Sequence, residues 1–299
     1  MEEQLRAFLS HLQQEYRYSE NTIAAYRNDL SQFLDYVESH SGIKLNDWSS
    51  VSDDDIEAYL IYMKHKDQPY ASSTIARKVA AIKSFYNFLT AQGIVAENPT
   101  IDIDSPKVKK RLPQTLTFAE VERLLEAPLS SGSAKNLRDV TLLNILYETG
   151  MRVTEVVSIQ LDDVDLDRAL LSSPTRQGEE REIPLEDSTR QLLVDYLKDG
   201  RPQLAKNKIE RALFLNHRGE KLTRQGLWLI IKGYARQVGL NTEVTPHTLR
   251  HSFAVHRLSK GSSLEDIQRL LGHANISTTQ IYTQMEQSES ETTTEASTV

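Results

Sequence analysis

The chain of 299 residues has room for one large domain or two ordinary ones, and its 39% apolar and 26% charged residues suit a packed core under a charged surface. It contains no cysteine, which excludes disulfides and thiolate-held metals. The net charge of −7 speaks against a uniformly basic nucleic-acid binder, yet positions 284–299 hold four glutamates and no basic residue; without them the charge is −3, and a phosphate backbone responds to a local basic face more than to the sum.

The start, MEEQLRAFLSHLQQ, is acidic and amphipathic, unlike a secretory signal, and no apolar run is long enough to span a bilayer, so a cytoplasmic protein is expected. Within that start, Leu5, Phe8, Leu9 and Leu12 have helical spacing. Ser19 is placed to cap a second helix carrying Ile23, Tyr26, Leu30, Phe33 and Val37. Ser52 and the acidic run 53–55 read as a cap and first turn, followed by Ile56, Tyr59, Leu60 and Met63 on one face. Ser72 or Ser73 opens a long helix through Ile75, Val79, Ile82, Phe85, Tyr86 and Leu89, closed by Gly93. Residues 1–96 therefore predict a small helical bundle.

Positions 97–116, with three prolines and a polar composition, read as a linker, and its cluster Lys107, Lys109, Lys110, Arg111 suits contact with a nucleic-acid backbone. A second domain is expected over 117–283. Thr117 and Glu120 form a capping-box pattern, and a helix over 137–146 ends near Gly150. Strand-like pieces at 157–166, 169–174 and 181–185, with turns at 162–167 and 175–179, predict a small antiparallel sheet. Helices are predicted over 187–197, 223–238, 249–259 and 264–271. The polar, acidic tail 284–299 is expected to be disordered. The fold class is thus mostly α, a helical bundle followed by an α+β domain with a small antiparallel sheet.

Five positions carry candidate chemistry. Arg152 follows a glycine at a helix end, with Glu155 one turn on, placed to orient the arginine or to hold a neighbouring backbone group; locally the pair reads as a surface ion pair. Pro246 suits a helix start, and His247 and Arg250, one turn apart, offer cationic donors beside exposed helix N–H groups, a pattern that favours a bound phosphate. His251 is read as a packed or hydrogen-bonded helix residue pointing elsewhere, and His256 as structural or solvent-facing. His273 follows the turn-forming Gly272, and the nine residues from it to Tyr282 allow a short connection that brings both to one pocket. Tyr282 by itself reads as well as a core anchor with a wet hydroxyl. The histidines form no H-E-x-x-H, the acidic run at 162–167 lacks the glycine and terminal glutamate of a calcium loop, and no Gly-rich phosphate loop precedes a lysine. Neither metal nor cofactor is expected.

The stretches RDVTLLNILYETGMRVTEVVSI, REIPL, LFLNHRGEKLTRQGLWLIIKGYA, TPHTLRHSFA and LLGHANISTTQIYT, in this order, resemble the tyrosine recombinase (phage integrase) family, in particular its Xer-type members, over about residues 3–283. The resemblance implies a SAM-like core-binding bundle and a catalytic domain that together grip duplex DNA. It implies a short inverted-repeat core site, a dimer on one site, a tetramer in the synapse, and in some members a second recombinase or accessory protein. It makes Tyr282 the nucleophile of a 3′-phosphotyrosyl intermediate, and Arg152, His247, Arg250 and His273 the catalytic set, with Glu155 supporting Arg152. Where the family usually has a lysine in a strand turn, this chain has Arg176, whose guanidinium donates hydrogen bonds but does not readily release a proton. DNA-reading residues are expected on the helix at 72–90 (Arg77, Lys78, Lys83) and on the helix at 223–238 (Arg224, Gln225, Lys232, Arg236). Chromosome or plasmid dimer resolution is the role favoured by length and N-terminal region. Integration of a mobile element, a catalytically weak DNA-binding member and a type IB topoisomerase are the alternatives.

Overall fold

The computed structural model describes the chain apart from residues 42–46, 107–112, 131, 175–179, 208, 241–242, 273–275, 284 and 286–299. The basic cluster Lys107, Lys109, Lys110 and Arg111, as well as Arg176, His273 and the acidic tail past Met285, lie outside the described residues. The chain divides into two compact units, Met1–Lys110 and Arg111–Val299.

In the first unit the helices are α1 (Glu2–Gln14), α2 (Glu20–Ser41), α3 (Asp53–His65) and α4 (Ser72–Ala91). Ser19 accepts the Thr22 N–H, and Ser52 forms a reciprocal capping box with Asp55. The start of α4 differs from expectation: Ala71 is the N-cap, with no side-chain cap, and Ser72 is already helical. The predicted apolar stripes converge on one core in which Phe8, Leu30, Phe33, Trp48, Met63, Phe85 and Tyr86 are buried. The ring of Trp48 meets that of Phe85 edge-on at 4.7 Å, and its indole N–H donates to the Met1 carbonyl at 3.1 Å.

Lys78 corrects one expected DNA-reading residue of α4. Its side chain is 2% exposed, and its ammonium donates to Asp29 at 3.0 Å and to Gln32 at 2.8 Å. Arg77, half exposed, pairs with the same carboxylate. An apolar helix face can bury a lysine only if its charge is paired, and Asp29, 1% exposed, supplies the pair. Lys83 is partly exposed.

The second unit opens with α5 (Phe118–Glu126), capped by Thr117 and Glu120 as expected. Then α6 (Ala134–Thr149) runs through the core, with Leu142, Leu143, Ile145 and Leu146 fully buried, and ends at Gly150 with φ +58°. After the short α7 (Val153–Val156) come β1 (Val164–Asp165), β2 (Leu170–Pro174) and β3 (Glu180–Pro184), an antiparallel sheet in sequence order. Leu171 faces Ile183 and Ser173 faces Arg181 across the β2–β3 ladder. The helices α8 (Asp187–Asp195), α9 (Arg201–Leu204), α10 (Arg224–Gln237), α11 (Pro246–Ser259) and α12 (Leu264–Leu271) follow. The chain between α8 and α9, Tyr196–Gly200, is a π-turn that the apolar spacing did not reveal; it lets Tyr196 fill the core and donate to the Leu213 carbonyl at 3.0 Å.

The segment leading into α5 is fastened to α11. The Leu116 N–H donates to Ser252 Oγ at 2.8 Å, and Phe118 stacks on His256 at 3.8 Å between centroids. Nδ1 of His256 shares a 2.7 Å hydrogen bond with the Tyr147 hydroxyl, and the ring also bonds the Leu116 backbone. Both contacts fit a neutral ring, and burial lowers its pKa from 6.5 to about 4.

Two outcomes test this architecture. Asp29→Ala leaves the Lys78 ammonium buried without its carboxylate, so urea denaturation should show a loss of about 3–5 kcal/mol, much of it recovered in the apolar pair Asp29→Leu/Lys78→Met. For His256 the unfolded chain binds the proton first, so its stabilising effect is complete above pH 6.5 and drains as pH falls toward 4. Thermal melts across that window should decline steeply in the parent and more shallowly in His256→Asn.

Candidate active site

Gly150 sets the site's floor. Its left-handed conformation turns the chain out of α6, and a Cβ there would lie 2.5 Å from the Phe253 ring. Two residues on, Arg152 is the N-cap of α7, and Glu155 folds back on it. That carboxylate accepts the Arg152 backbone N–H at 2.7 Å and its guanidinium at 2.8 Å. Sequence spacing left open whether Glu155 holds the side chain or the backbone; it holds both.

A second arginine reaches the same carboxylate. Strand alternation puts Arg181 on the face of β3 that also buries Ile183, and its Nη2 donates to Glu155 at 3.0 Å. Arg250, on α11 and 4% exposed, completes the cluster. The three guanidinium groups cap the end of α12 in turn: Arg181 donates to the Leu270 carbonyl at 2.9 Å, Arg250 to Leu271 at 2.7 Å and Arg152 to Gly272 at 3.1 Å. Arg250 also donates to the Gly150 carbonyl. Helix C-terminal carbonyls carry partial negative charge and accept such donors well. Gly272 has φ +60°, and a Cβ on it would meet Arg181 at 2.5 Å, so the approach needs glycine. Burial, with the charges of Arg152 and Arg181 added, lowers the Arg250 pKa to about 10. Three guanidinium groups stand around one carboxylate, a cationic excess suited to a phosphodiester.

Tyr282 adjoins this cluster. It is 2% exposed and packs with Phe253, Ala254, Val255, Ile267, Leu271 and Met285. Met285, within the stretch expected to be disordered, is 2% exposed and belongs to this core. Burial raises the pKa of the phenol, while Arg250 and Arg152 pull it down. Its hydroxyl shares a 3.1 Å hydrogen bond with Nδ1 of His251. This corrects the reading of His251 as pointing elsewhere. His247 and His251 are four apart on α11, with ring centroids 6.4 Å apart, and that i, i+4 spacing was the available signal. For Arg181 the signal was strand alternation from Ile183.

His247 itself is exposed in the first turn of α11, where Thr245 caps the helix by accepting the Thr248 N–H. On α10, Arg224, Gln225 and Arg236 are exposed, while Lys232 is partly covered, with its ammonium 4.5 Å from the Trp228 ring centre. Among the described residues no cluster of three His, Asp or Glu has metal-ligating geometry, and no helix is long and apolar enough to cross a membrane.

Comparison with known proteins identifies the family. Residues 114–289 match the model of the phage integrase family, and residues 5–93 match the N-terminal SAM-like domain of phage integrases. The chain is 50% identical to tyrosine recombinase XerC of Herpetosiphon aurantiacus over 284 residues, 95% of this chain and 90% of that one. It is 40% identical to tyrosine recombinase XerD of Listeria monocytogenes over 95% of this chain and 94% of the relative. Among solved structures, XerA recombinase is similar at 28% identity over 94% of this chain and 93% of that one, with a TM-score of 0.52. XerH bound to a palindromic difH substrate shares the fold at a TM-score of 0.75 and 22% identity, over 91% of this chain and 79% of that one. The chain belongs to the phage integrase family of tyrosine recombinases.

Glu155→Gln should expose the charge balance. It leaves three cations without their carboxylate and should cost on the order of 1–3 kcal/mol. In calorimetry at low salt its melting point should fall, and added inorganic phosphate should restore it more than it stabilises the parent.

Proposed function

We propose that the protein is a site-specific DNA recombinase that cuts and rejoins duplex DNA through a covalent tyrosyl link. The observation that carries this reading is a buried tyrosine hydroxyl beside a cluster of three arginines with one carboxylate among them. Arg152 and Arg250 bind the nonbridging oxygens of the scissile phosphate and offset charge in the pentacoordinate transition state. Tyr282 attacks in line, leaving a 3′-phosphotyrosyl bond and a free 5′ hydroxyl; the bond energy is retained, so rejoining needs no ATP. His247 and His273 hydrogen-bond the phosphate, and Arg176 donates to the leaving oxygen. The 5′ hydroxyl of the partner strand then attacks, passing through a Holliday junction.

The relatives named XerC and XerD support a Xer-like role, resolution of chromosome or plasmid dimers, over integration of a mobile element. The palindromic substrate of the XerH structure supports an inverted-repeat core site. A dimer on each site and a tetramer in the synapse are part of this reading. Arg224, Gln225, Lys232 and Arg236 are its candidate DNA contacts, with Lys83 and Arg77 from the first unit and the linker cations 107–111.

The test uses a nicked suicide duplex bearing a core site selected by binding from random DNA. The parent should give a covalent protein–DNA band on a denaturing gel, and Tyr282→Phe should give none while still binding. Specific binding with no band from the parent, rescued in Arg176→Lys, would instead identify a catalytically weak member of the family.

A further inference from the structure

Resting on the recombinase reading, we infer that His251 is a catalytic residue, the base that takes the proton of Tyr282 as the tyrosine attacks. The geometry carries the assignment. Nδ1 of His251 is hydrogen-bonded to the reacting oxygen itself, at 3.1 Å, and the rings lie 5.6 Å apart between centroids. His247, which the resemblance places in the catalytic set and the proposed function gives a phosphate contact, is exposed one helical turn earlier, its ring centre 6.4 Å from that of His251. The two histidines thus divide the work, His247 at the mouth of the site and His251 at the nucleophile.

The surroundings favour a neutral acceptor. His247 and Arg250 face His251 from its own helix, and Tyr282 faces it from the closing segment; Arg152, Glu155 and Arg181 lie around Arg250. Burial, then His247, then Arg250 lower the His251 pKa to about 4. The ring is therefore neutral at pH 7, and the tautomer protonated at Nε2 presents a lone pair at Nδ1 to the phenol. A bound phosphodiester sets a negative charge against Arg250 and Arg152, which removes part of the cause of that depression. Substrate arrival thereby makes His251 a better base as the phosphate comes within reach of Tyr282.

The step balances. The phenol proton passes to Nδ1, the freed electron pair forms the Tyr282 O–P bond, and the P–O5′ pair leaves on the 5′ oxygen. That oxygen takes a proton from a separate donor, water or the group at position 176. In rejoining, the imidazolium returns its proton to the tyrosine as the O–P bond breaks.

The experiment is single-turnover cleavage of the suicide duplex by His251→Gln and His251→Asn between pH 6 and 10. Both side chains can still accept a hydrogen bond but do not titrate in this range. Circular dichroism and duplex binding establish that each variant is folded. The expected result is a loss of about 10²–10⁴-fold in adduct rate at pH 7 with binding retained. The variants' residual rate should climb about tenfold per pH unit, following the phenolate fraction, unlike the flatter parent profile. Imidazole added to His251→Ala should restore part of the rate. Adduct formation by the Gln and Asn variants within about threefold of the parent, with the parent's pH profile, would overturn the assignment and leave His251 as a holder of the resting tyrosine. Absence of adduct from the parent itself would overturn the recombinase reading and this assignment with it.

Discussion

The catalytic unit is organised around a problem of like charge. Arg152, Arg181 and Arg250 come from three separate elements and meet where solvent screening is poor. Two such charges about 4 Å apart repel by about 4 kcal/mol at an effective dielectric near 20, a large part of a domain's whole stability. Glu155 offsets part of this by holding Arg152 and Arg181 together. The end of α12 offsets more, because its last carbonyls accept one guanidinium each. Gly150 and Gly272 are both in a left-handed conformation; a Cβ at Gly272 would lie against Arg181, and one at Gly150 against Phe253 and Leu271. What remains is excess positive charge in a preformed site, and a phosphate is the natural counter-ion.

The same arrangement places Tyr282, the proposed nucleophile, under opposing influences. Packing Tyr282 among Phe253, Ile267 and Leu271 fixes its position and makes its ionisation harder. Arg250 and Arg152 act the other way. The balance keeps the phenol protonated in the free protein and makes its activation depend on groups brought into line with it. Since Ile267 and Leu271 of α12 share a core with Tyr282, the helix that quiets the arginines also helps locate the tyrosine.

Charged residues elsewhere show why composition says little about ligands. Lys78 and Arg138 are almost fully buried, paired to Asp29 and Asp139, and serve the core. Arg224 and Arg236 lie exposed on α10. All four are basic residues on helices, and only their three-dimensional surroundings separate structural charge from charge offered to a partner. The net charge of −7 averages over both kinds.

Local signals determined much of this protein: the apolar spacing of α1 to α4, the caps at Ser52 and Thr117, the left-handed turn at Gly150, and the three short strands. These depend on neighbours within a turn or two, which a sequence displays. The motifs around Arg152, Arg250 and Tyr282 were legible for the same reason, and so was the pairing of Glu155 with Arg152. Tertiary structure alone decided that Lys78 turns inward, that Arg181 shares Glu155 across 26 residues, and that His251 meets Tyr282 across 31. Those outcomes depend on which helix faces and strand faces come together, and on the cost of burying a charge without a partner. Sequence spacing supplied the residues and their local directions; only packing brought these side chains within hydrogen-bonding distance.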